Sequence, residues 1–263
     1  MKNHPIGILD SGIGGLTVLK EIQQELPEES IIYIGDSRNI PYGKRQREEI
    51  YHLACRMIDF LLQQKVKTIV IACNTITVSC IAQLRETYPD IPLIGTVPVI
   101  KKAVEQSKTK RIGVLSTTLT AKSVYQNELI EKFAQGYFVS NHGTDELVPL
   151  IEKGIISGSN IEKVLHNYVL LFQKENIDVL VLGCTHFPFI HKLLEKMLGK
   201  HIKLLNSGTA IAHQVRRILT HNGLLVTQRN LPDAFYTTGN KTHMSQIGEN
   251  YIGIKMSIKM VTL

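Results

Sequence analysis

The sequence predicts an α/β protein of two pseudo-symmetric, doubly wound lobes with mainly parallel sheets and an active site in the cleft between them. Three observations carry this. Apolar runs of strand length alternate with helical patterns along the chain. Two of those runs end alike, as Thr68-Ile-Val-Ile-Ala-Cys73-Asn-Thr75 and Val179-Leu-Val-Leu-Gly-Cys184-Thr-His186. Further segments recur at nearly constant offset. Strand, helix, strand in repetition implies parallel strands joined by right-handed crossovers.

The strand-like runs are Ile6-Gly-Ile-Leu9, Ile31-Ile-Tyr-Ile34, Thr68 to Ala72, Pro92-Leu-Ile94, Ile112-Gly-Val-Leu115, Val179 to Leu182 and Ile202-Lys-Leu-Leu205. Leu16, Leu19, Ile22 and Leu26 recur at nearly helical spacing between the first two. Ile50, Leu53, Ala54, Met57, Ile58 and Leu61 form one helical face between the second and third. The two cysteines lie 184 − 73 = 111 residues apart, and Leu93-Ile-Gly-Thr96 matches Leu204-Leu-Asn-Ser207 at 207 − 96 = 111. Ile6-Gly-Ile-Leu-Asp-Ser11 matches Ile112-Gly-Val-Leu-Ser-Thr117 at an offset of 106. These offsets support a duplicated lobe, with convergence of two copies on a common βα pattern as the alternative, and divide the chain into 1–96 plus 209–263 and 97–208. The return to the first lobe predicts a helix over 209–221 and two strands, Ala234 to Thr238 and Ile254 to Val261.

Composition narrows the class. With 43% hydrophobic and 20% charged residues among 263, the chain is of ordinary globular composition. No apolar run is long enough to span a bilayer, and the N-terminus lacks the apolar stretch of a signal peptide, so a cytoplasmic protein with no membrane partner is expected. Four cysteines without a C-x-x-C pair are neither a disulfide framework nor a zinc site. Cys55 and Cys80 fall in helical patterns and read as packing. The net charge of +7 is scattered apart from Lys44 to Arg47 and Lys108 to Arg111; diffuse charge of this kind is more often a solvated surface than a nucleic-acid stripe and does not decide between them. No flavin, nucleotide or metal motif is present, and the glycines at 12, 14 and 15 do not fit the dinucleotide fingerprint.

The chemistry gathers at strand ends. In a parallel sheet, ligands sit beyond the C-terminal ends of the strands. A thiol there in each half suits a reaction that needs a proton donor and a proton acceptor on opposite faces of a substrate. A helix starting after each cysteine should favour the thiolate. One such cysteine would read as a buried core residue, but two at matched strand ends do not. Asp10-Ser-Gly-Ile-Gly-Gly-Leu-Thr-Val18 is a glycine turn into a helix, readable as an N-cap by Asp10 or Ser11 or as an anion cradle. Gly35-Asp-Ser-Arg-Asn-Ile-Pro-Tyr-Gly43 is a turn whose Pro41-Tyr42-Gly43 end can offer backbone donors to a carboxylate. Asn74, Thr75, Thr185 and His186 can hydrogen-bond a substrate, and His186 suits a proton partner of Cys184. Glu152, at the end of an amphipathic helix, reads from sequence as a solvated carboxylate.

These motifs, Asp10 to Val18, Gly35-Asp-Ser-Arg-x-x-Pro-Tyr-Gly43, Ala72-Cys-Asn-Thr75 and Gly183-Cys-Thr-His-Phe-Pro188, together resemble the glutamate racemases, a family of the cofactor-independent aspartate/glutamate racemases. Phe235-Tyr-Thr-Thr-Gly239 also resembles that family. The resemblance implies interconversion of L- and D-glutamate for peptidoglycan and cell-wall biogenesis, and hence cell shape, without a cofactor. It implies that Cys73 and Cys184 are catalytic, with Cys73 taking the proton from D-glutamate and Cys184 from L-glutamate, assisted by Asp10 and His186. Asp10, Ser11, Pro41, Tyr42, Gly43, Asn74, Thr75, Thr117, Thr120, Thr185 and His186 match substrate-contacting or assisting positions. Asp36 and Glu152 match acidic residues implicated in proton transfer. A homodimer is also implied. The chain departs from the family pattern at Ile76-Thr-Val78, Leu119, Thr96-Val-Pro98 and Asn206-Ser-Gly208.

Three alternatives follow from the same residues. One is a racemase of this fold acting on aspartate or another amino acid. Another is a non-catalytic regulator contacting nucleic acid or an enzyme such as gyrase. The third, a cysteine hydrolase, leaves the second cysteine without a role.

Overall fold

The computed structural model describes residues 2–253 and 255–263, with backbone alone at 251 and 252. The chain divides into two compact units, Met1–Thr96 with Gly208–Leu263, and Val97–Ser207. The strands of the first unit are β1 (Ile6–Asp10), β2 (Ile31–Gly35), β3 (Thr68–Ile71) and β4 (Leu93–Gly95). Those of the second are β5 (Arg111–Ser116), β6 (Phe138–Gly143), β7 (Val179–Gly183) and β8 (Lys203–Leu205). The chain then supplies β9 (Ala234–Thr237) and β10 (Ile258–Met260) to the first unit.

Every strand pair is parallel. The first sheet runs β10-β9-β2-β1-β3-β4 and the second β6-β5-β7-β8. The four-strand order β2-β1-β3-β4 therefore recurs as β6-β5-β7-β8. Registers agree as well. Ile69 pairs with Leu93 and Leu180 with Leu204, both shifted by 180 − 69 = 204 − 93 = 111.

Strands buried on both faces must be apolar throughout, and β1, β2, β3 and β7 are buried at every residue. This is why they stand out as uninterrupted apolar runs. Helices Leu16–Glu25 and Arg47–Gln63 bury the faces that their spacing predicts, Leu16, Leu19 and Ile22 in one and Ile50 to Leu61 in the other. The return helix spans Gly208–His221 and packs on Leu16–Glu25.

Three expectations change. β6 is an additional strand, the counterpart of β2. The expected strand over Ile254 to Val261 is confined to Ile258–Met260, and Ile254 itself lies outside the described residues. Neither Asp10 nor Ser11 caps the first helix, which begins at Leu16 with Gly15 as its cap residue and no side-chain cap bond. No helix among the described residues is long and apolar enough to cross a membrane.

At the N-terminal ends of β2 and β3, the first unit is fastened by a buried ion pair. Lys67 Nζ lies 2.5 Å from Glu29 Oε2, and both side chains are buried. The ammonium also donates to the carbonyls of Lys2 and Leu224, each at 2.9 Å, while Glu29 Oε1 accepts from the Val226 amide. Four separate segments thus meet at one charge pair. Replacing Lys67 with methionine leaves the Glu29 carboxylate buried and uncompensated, at a cost of about 3 to 5 kcal/mol. Urea unfolding should show a lowered midpoint at unchanged slope; an unshifted midpoint would contradict this role.

Candidate active site

In each sheet the strand order reverses beside the first strand, between β1 and β3 in one unit and between β5 and β7 in the other. Such a switch point leaves a crevice at the C-terminal strand ends where ligands bind. Parallel pairing brings the end of β1, Asp10-Ser11, beside the end of β3, followed by Cys73. The pairing of β5 with β7 brings Ser116-Thr117 beside Gly183-Cys184 in the same way.

In the first unit, the Cys73 thiol donates to Ser11 Oγ at 3.6 Å. Cys73 is the cap residue of helix Asn74–Thr87, so the positive end of a 14-residue helix faces its backbone. Asp10 organises the glycine turn instead of capping. Its Oδ1 accepts from the Gly12 amide at 3.0 Å, and the Gly12 carbonyl accepts from Tyr33 Oη at 2.6 Å. Glycine is required at two points of close approach: a Cβ at Gly15 would lie 2.5 Å from Asp10 Cβ, and one at Gly35 would lie 2.5 Å from the Gly12 carbonyl oxygen. Asn74 and Thr75 are buried at the first turn of the helix, with Asn74 Nδ2 3.5 Å from the Thr96 carbonyl.

Thr77 is a residue that sequence reasoning registered only as a departure. Its hydroxyl donates to the Cys73 carbonyl at 3.1 Å and accepts from the Thr96 amide at 3.1 Å. It therefore ties the cysteine turn to the end of β4. Thr77 and Thr96, each part of a departure from the family pattern, meet at this contact.

The turn after β2 contains the cis Ile40–Pro41 peptide and a short 3-10 turn, Tyr42–Lys44. Tyr42 is buried and donates to Asp36 Oδ2 at 2.6 Å. Burial raises its phenol pKa, and the Asp36 charge, the hydrogen bond to Asp36 and the nearby Cys73 raise it further, so the phenol stays protonated. Pro41 and Gly43 are half-buried beside it.

In the second unit, Cys184 Sγ lies 3.8 Å from His186 Nδ1, and His186 Nε2 lies 2.6 Å from Glu152 Oε1. Glu152 ends the helix Leu147–Glu152, and its side chain is only 12% exposed. The solvated reading of Glu152 is thus corrected: it is the largely buried partner of an imidazole. Burial by itself would lower the His186 pKa. The hydrogen bonds to Cys184 and Glu152, with their charges, outweigh it and hold the imidazole well above its ordinary value. No α-helix starts directly at Cys184, another correction; a 3-10 turn, Phe187–Ile190, precedes helix His191–Leu198. The polar partner of this thiol is a charged side chain rather than a helix terminus. Thr117 Oγ1 donates to Thr120 Oγ1 at 2.9 Å and accepts from the Thr120 amide, fixing the turn after β5. Thr185 is buried between Cys184 and His186.

Cys73 and Cys184 are 5% and 7% exposed, reachable but shielded from bulk water. The other cysteines have no such setting. Cys80 donates to the Ile76 carbonyl within its own helix, and burial pushes its thiol up to about 12. Cys55 lies half-buried within helix Arg47–Gln63.

The sequence pattern of the Asp/Glu/hydantoin racemase family matches residues 6–215. The chain belongs to that family. A glutamate racemase of Ectopseudomonas mendocina is 37% identical to it over 243 residues, 92% of each chain. Among solved structures, a glutamate racemase isoform of Bacillus anthracis has a TM-score of 0.88 at 34% identity, covering 100% of this chain and 99% of that one. The glutamate racemase of Francisella tularensis subsp. tularensis SCHU S4, in complex with D-glutamate, has a TM-score of 0.87 at 35% identity, covering 100% and 98%.

The raised His186 pKa makes a pH prediction for this family member. The folded state holds the proton more tightly than the unfolded state, whose imidazole titrates near 6.5. The stabilisation is complete below that value and is lost as pH rises through the folded-state pKa. Urea midpoints of the native chain and of His186→Asn should therefore differ more at acidic than at alkaline pH. A gap that widens with rising pH would contradict this.

Proposed function

We infer that this chain interconverts L- and D-glutamate without a cofactor, using Cys73 and Cys184 as acid and base on opposite faces of the α-carbon. The observation that carries the reading is the repetition: the same sheet order sets a thiol at the switch point twice, each with its own polar partner. Membership of a racemase family, with glutamate racemases similar over nearly the whole chain, supports glutamate as the substrate.

The reaction changes neither composition nor oxidation state, so proton transfers suffice. One cysteine, as thiolate, takes the α-proton, and the C–H electron pair moves into the carboxylate to form an enediolate. The other cysteine, as thiol, gives a proton to the opposite face, and the electron pair returns to the α-carbon. Each turnover leaves the two sulfurs with exchanged protonation, ready for the reverse direction. The free Cα–H is far less acidic than a thiol of ordinary pKa ~8.5, so charge must be stabilised as it develops. Hydrogen-bond donors from Asn74, Thr75 and Thr185 serve the carboxylate, with Ser11, Thr117, Thr120 and the turn Pro41-Tyr42-Gly43 completing its surroundings. Cys73 takes the proton from D-glutamate with Asp10 beside it, and Cys184 takes it from L-glutamate. The imidazolium of His186, oriented by Glu152, is placed to stabilise the Cys184 thiolate as it forms and to exchange a proton with it. Asp36 assists from behind the substrate turn. The same reading makes this a cytoplasmic, homodimeric enzyme whose D-glutamate feeds peptidoglycan synthesis and so cell shape.

Circular dichroism of separate L- and D-glutamate samples tests the activity. Both should decay to zero ellipticity with metal-free, cofactor-free protein, while L-aspartate stays unchanged. Decay of aspartate alone would move the substrate, and no decay at all would favour a regulatory protein. Cys73→Ser and Cys184→Ser should each lower kcat by about 10²–10⁴-fold or more. Near-native turnover by either would remove the two-thiol scheme.

A further inference from the structure

Asp36, directly after β2, has a full set of partners within the chain. Its Oδ1 accepts from Thr238 Oγ1 at 2.6 Å and its Oδ2 from Tyr42 Oη at 2.6 Å. Asn39 Nδ2 reaches both oxygens at 3.0 Å, and the Asp36 amide donates to the Asp10 carbonyl at 3.0 Å. The carboxylate is buried, and its lone pairs are committed to these donors. That arrangement fits anchoring better than proton transfer.

Thr238 is the far end of the anchor. It is the first residue past β9, its amide donates to the Gly35 carbonyl at 3.1 Å, and its hydroxyl accepts from the Arg38 amide at 3.1 Å. The next residue, Gly239, lets the strand end come close, because a Cβ there would lie 2.8 Å from Ser37 Cβ. Asp36, Asn39 and Thr238 also border a cavity of about 180 Å³ with Arg38, Leu53 and Arg56. Beside that cavity the hydrogen bonds from Thr238 and Tyr42 to Asp36 hold the turn. On the other side the turn Tyr42–Lys44 packs against helix Asn74–Thr87, whose cap residue is Cys73.

We propose that Thr238 is a positioning residue, whose hydroxyl sets the turn Pro41–Gly43 beside Cys73 through Asp36 and Tyr42. The inference rests on the reading of that turn as a glutamate contact, so one readout must not depend on racemisation.

Steady-state kinetics of Thr238→Val and Thr238→Ser, with site-resolved alkylation of the cysteines by iodoacetamide, provide the test. Valine keeps the shape and removes the hydroxyl, at a loss of about tenfold or more for a bond to a charged group. KM for both glutamate enantiomers should rise by about that factor, with a smaller change in kcat, and serine should restore it. The double variant Thr238→Val/Tyr42→Phe should be no worse than the poorer single one. The alkylation rate of Cys73 should change in Thr238→Val while that of Cys184 does not. Should the valine variant fail to fold, Asp36→Asn carries the same KM and alkylation expectations, since its amide keeps one acceptor oxygen and sets a donating NH2 in place of the other. Unchanged KM with unchanged Cys73 alkylation, or additive losses in the double variant, would overturn the proposal. A native chain inactive on glutamate would remove the functional reading, while the alkylation comparison would still decide the role of Thr238.

Discussion

The parallel pairing of β1 with β3, repeated as β5 with β7, is the constraint on which the rest depends. In-register pairing of Ile6 with Thr68, and of Ile112 with Val179, makes neighbouring strands end side by side. A polar turn and a cysteine then become neighbours without any long-range fitting of loops. The apolar strands make the register unforgiving, because a one-residue slip would turn buried side chains to the other face. The glycines at 15 and 35 matter for the same reason, since the turn after β1 has room for nothing larger.

On that repeated frame the two thiols have different company. Cys73 has a neutral hydroxyl partner in Ser11 and sits at the head of a long helix. Cys184 has an imidazole, itself held by a largely buried carboxylate. Two groups of one chemical type in unlike surroundings suit a reaction that uses one as base and one as acid. The stabilising Lys67–Glu29 pair lies at the opposite strand ends of the first unit, away from the thiol. Stability and chemistry thus draw on different ends of the same strands.

Much of this was legible because buried parallel strands must be apolar and because duplication leaves a measurable offset. β6 was not, since Phe138–Gly143 carries Ser140, Asn141 and His142, whose polarity serves side-chain bonds to Glu175, Gln126 and the strand itself. It also lies at a sheet edge, where continuous apolarity is not required. The cysteines and their immediate neighbours were readable from strand-end position. Glu152 stood out only through the family resemblance, because an amphipathic helix end gives no sign that a histidine 34 residues away will cover it. Thr238 escaped for the same reason: its partner Asp36 is 202 residues distant in sequence. Local pattern records what the backbone does, whereas these contacts arise only when the sheet brings distant strand ends together.

In the proposed reaction two separate thiols handle the proton on the two faces of the α-carbon. Racemisation of L-glutamate in D₂O, followed at early times by mass spectrometry of the separated enantiomers, tests it most directly. With two thiols, newly formed D-glutamate carries one α-deuterium while the remaining L-glutamate keeps its α-protium. Deuterium entering L-glutamate faster than D-glutamate appears, or D-glutamate retaining the original protium, would indicate a single base serving both faces and would contradict it.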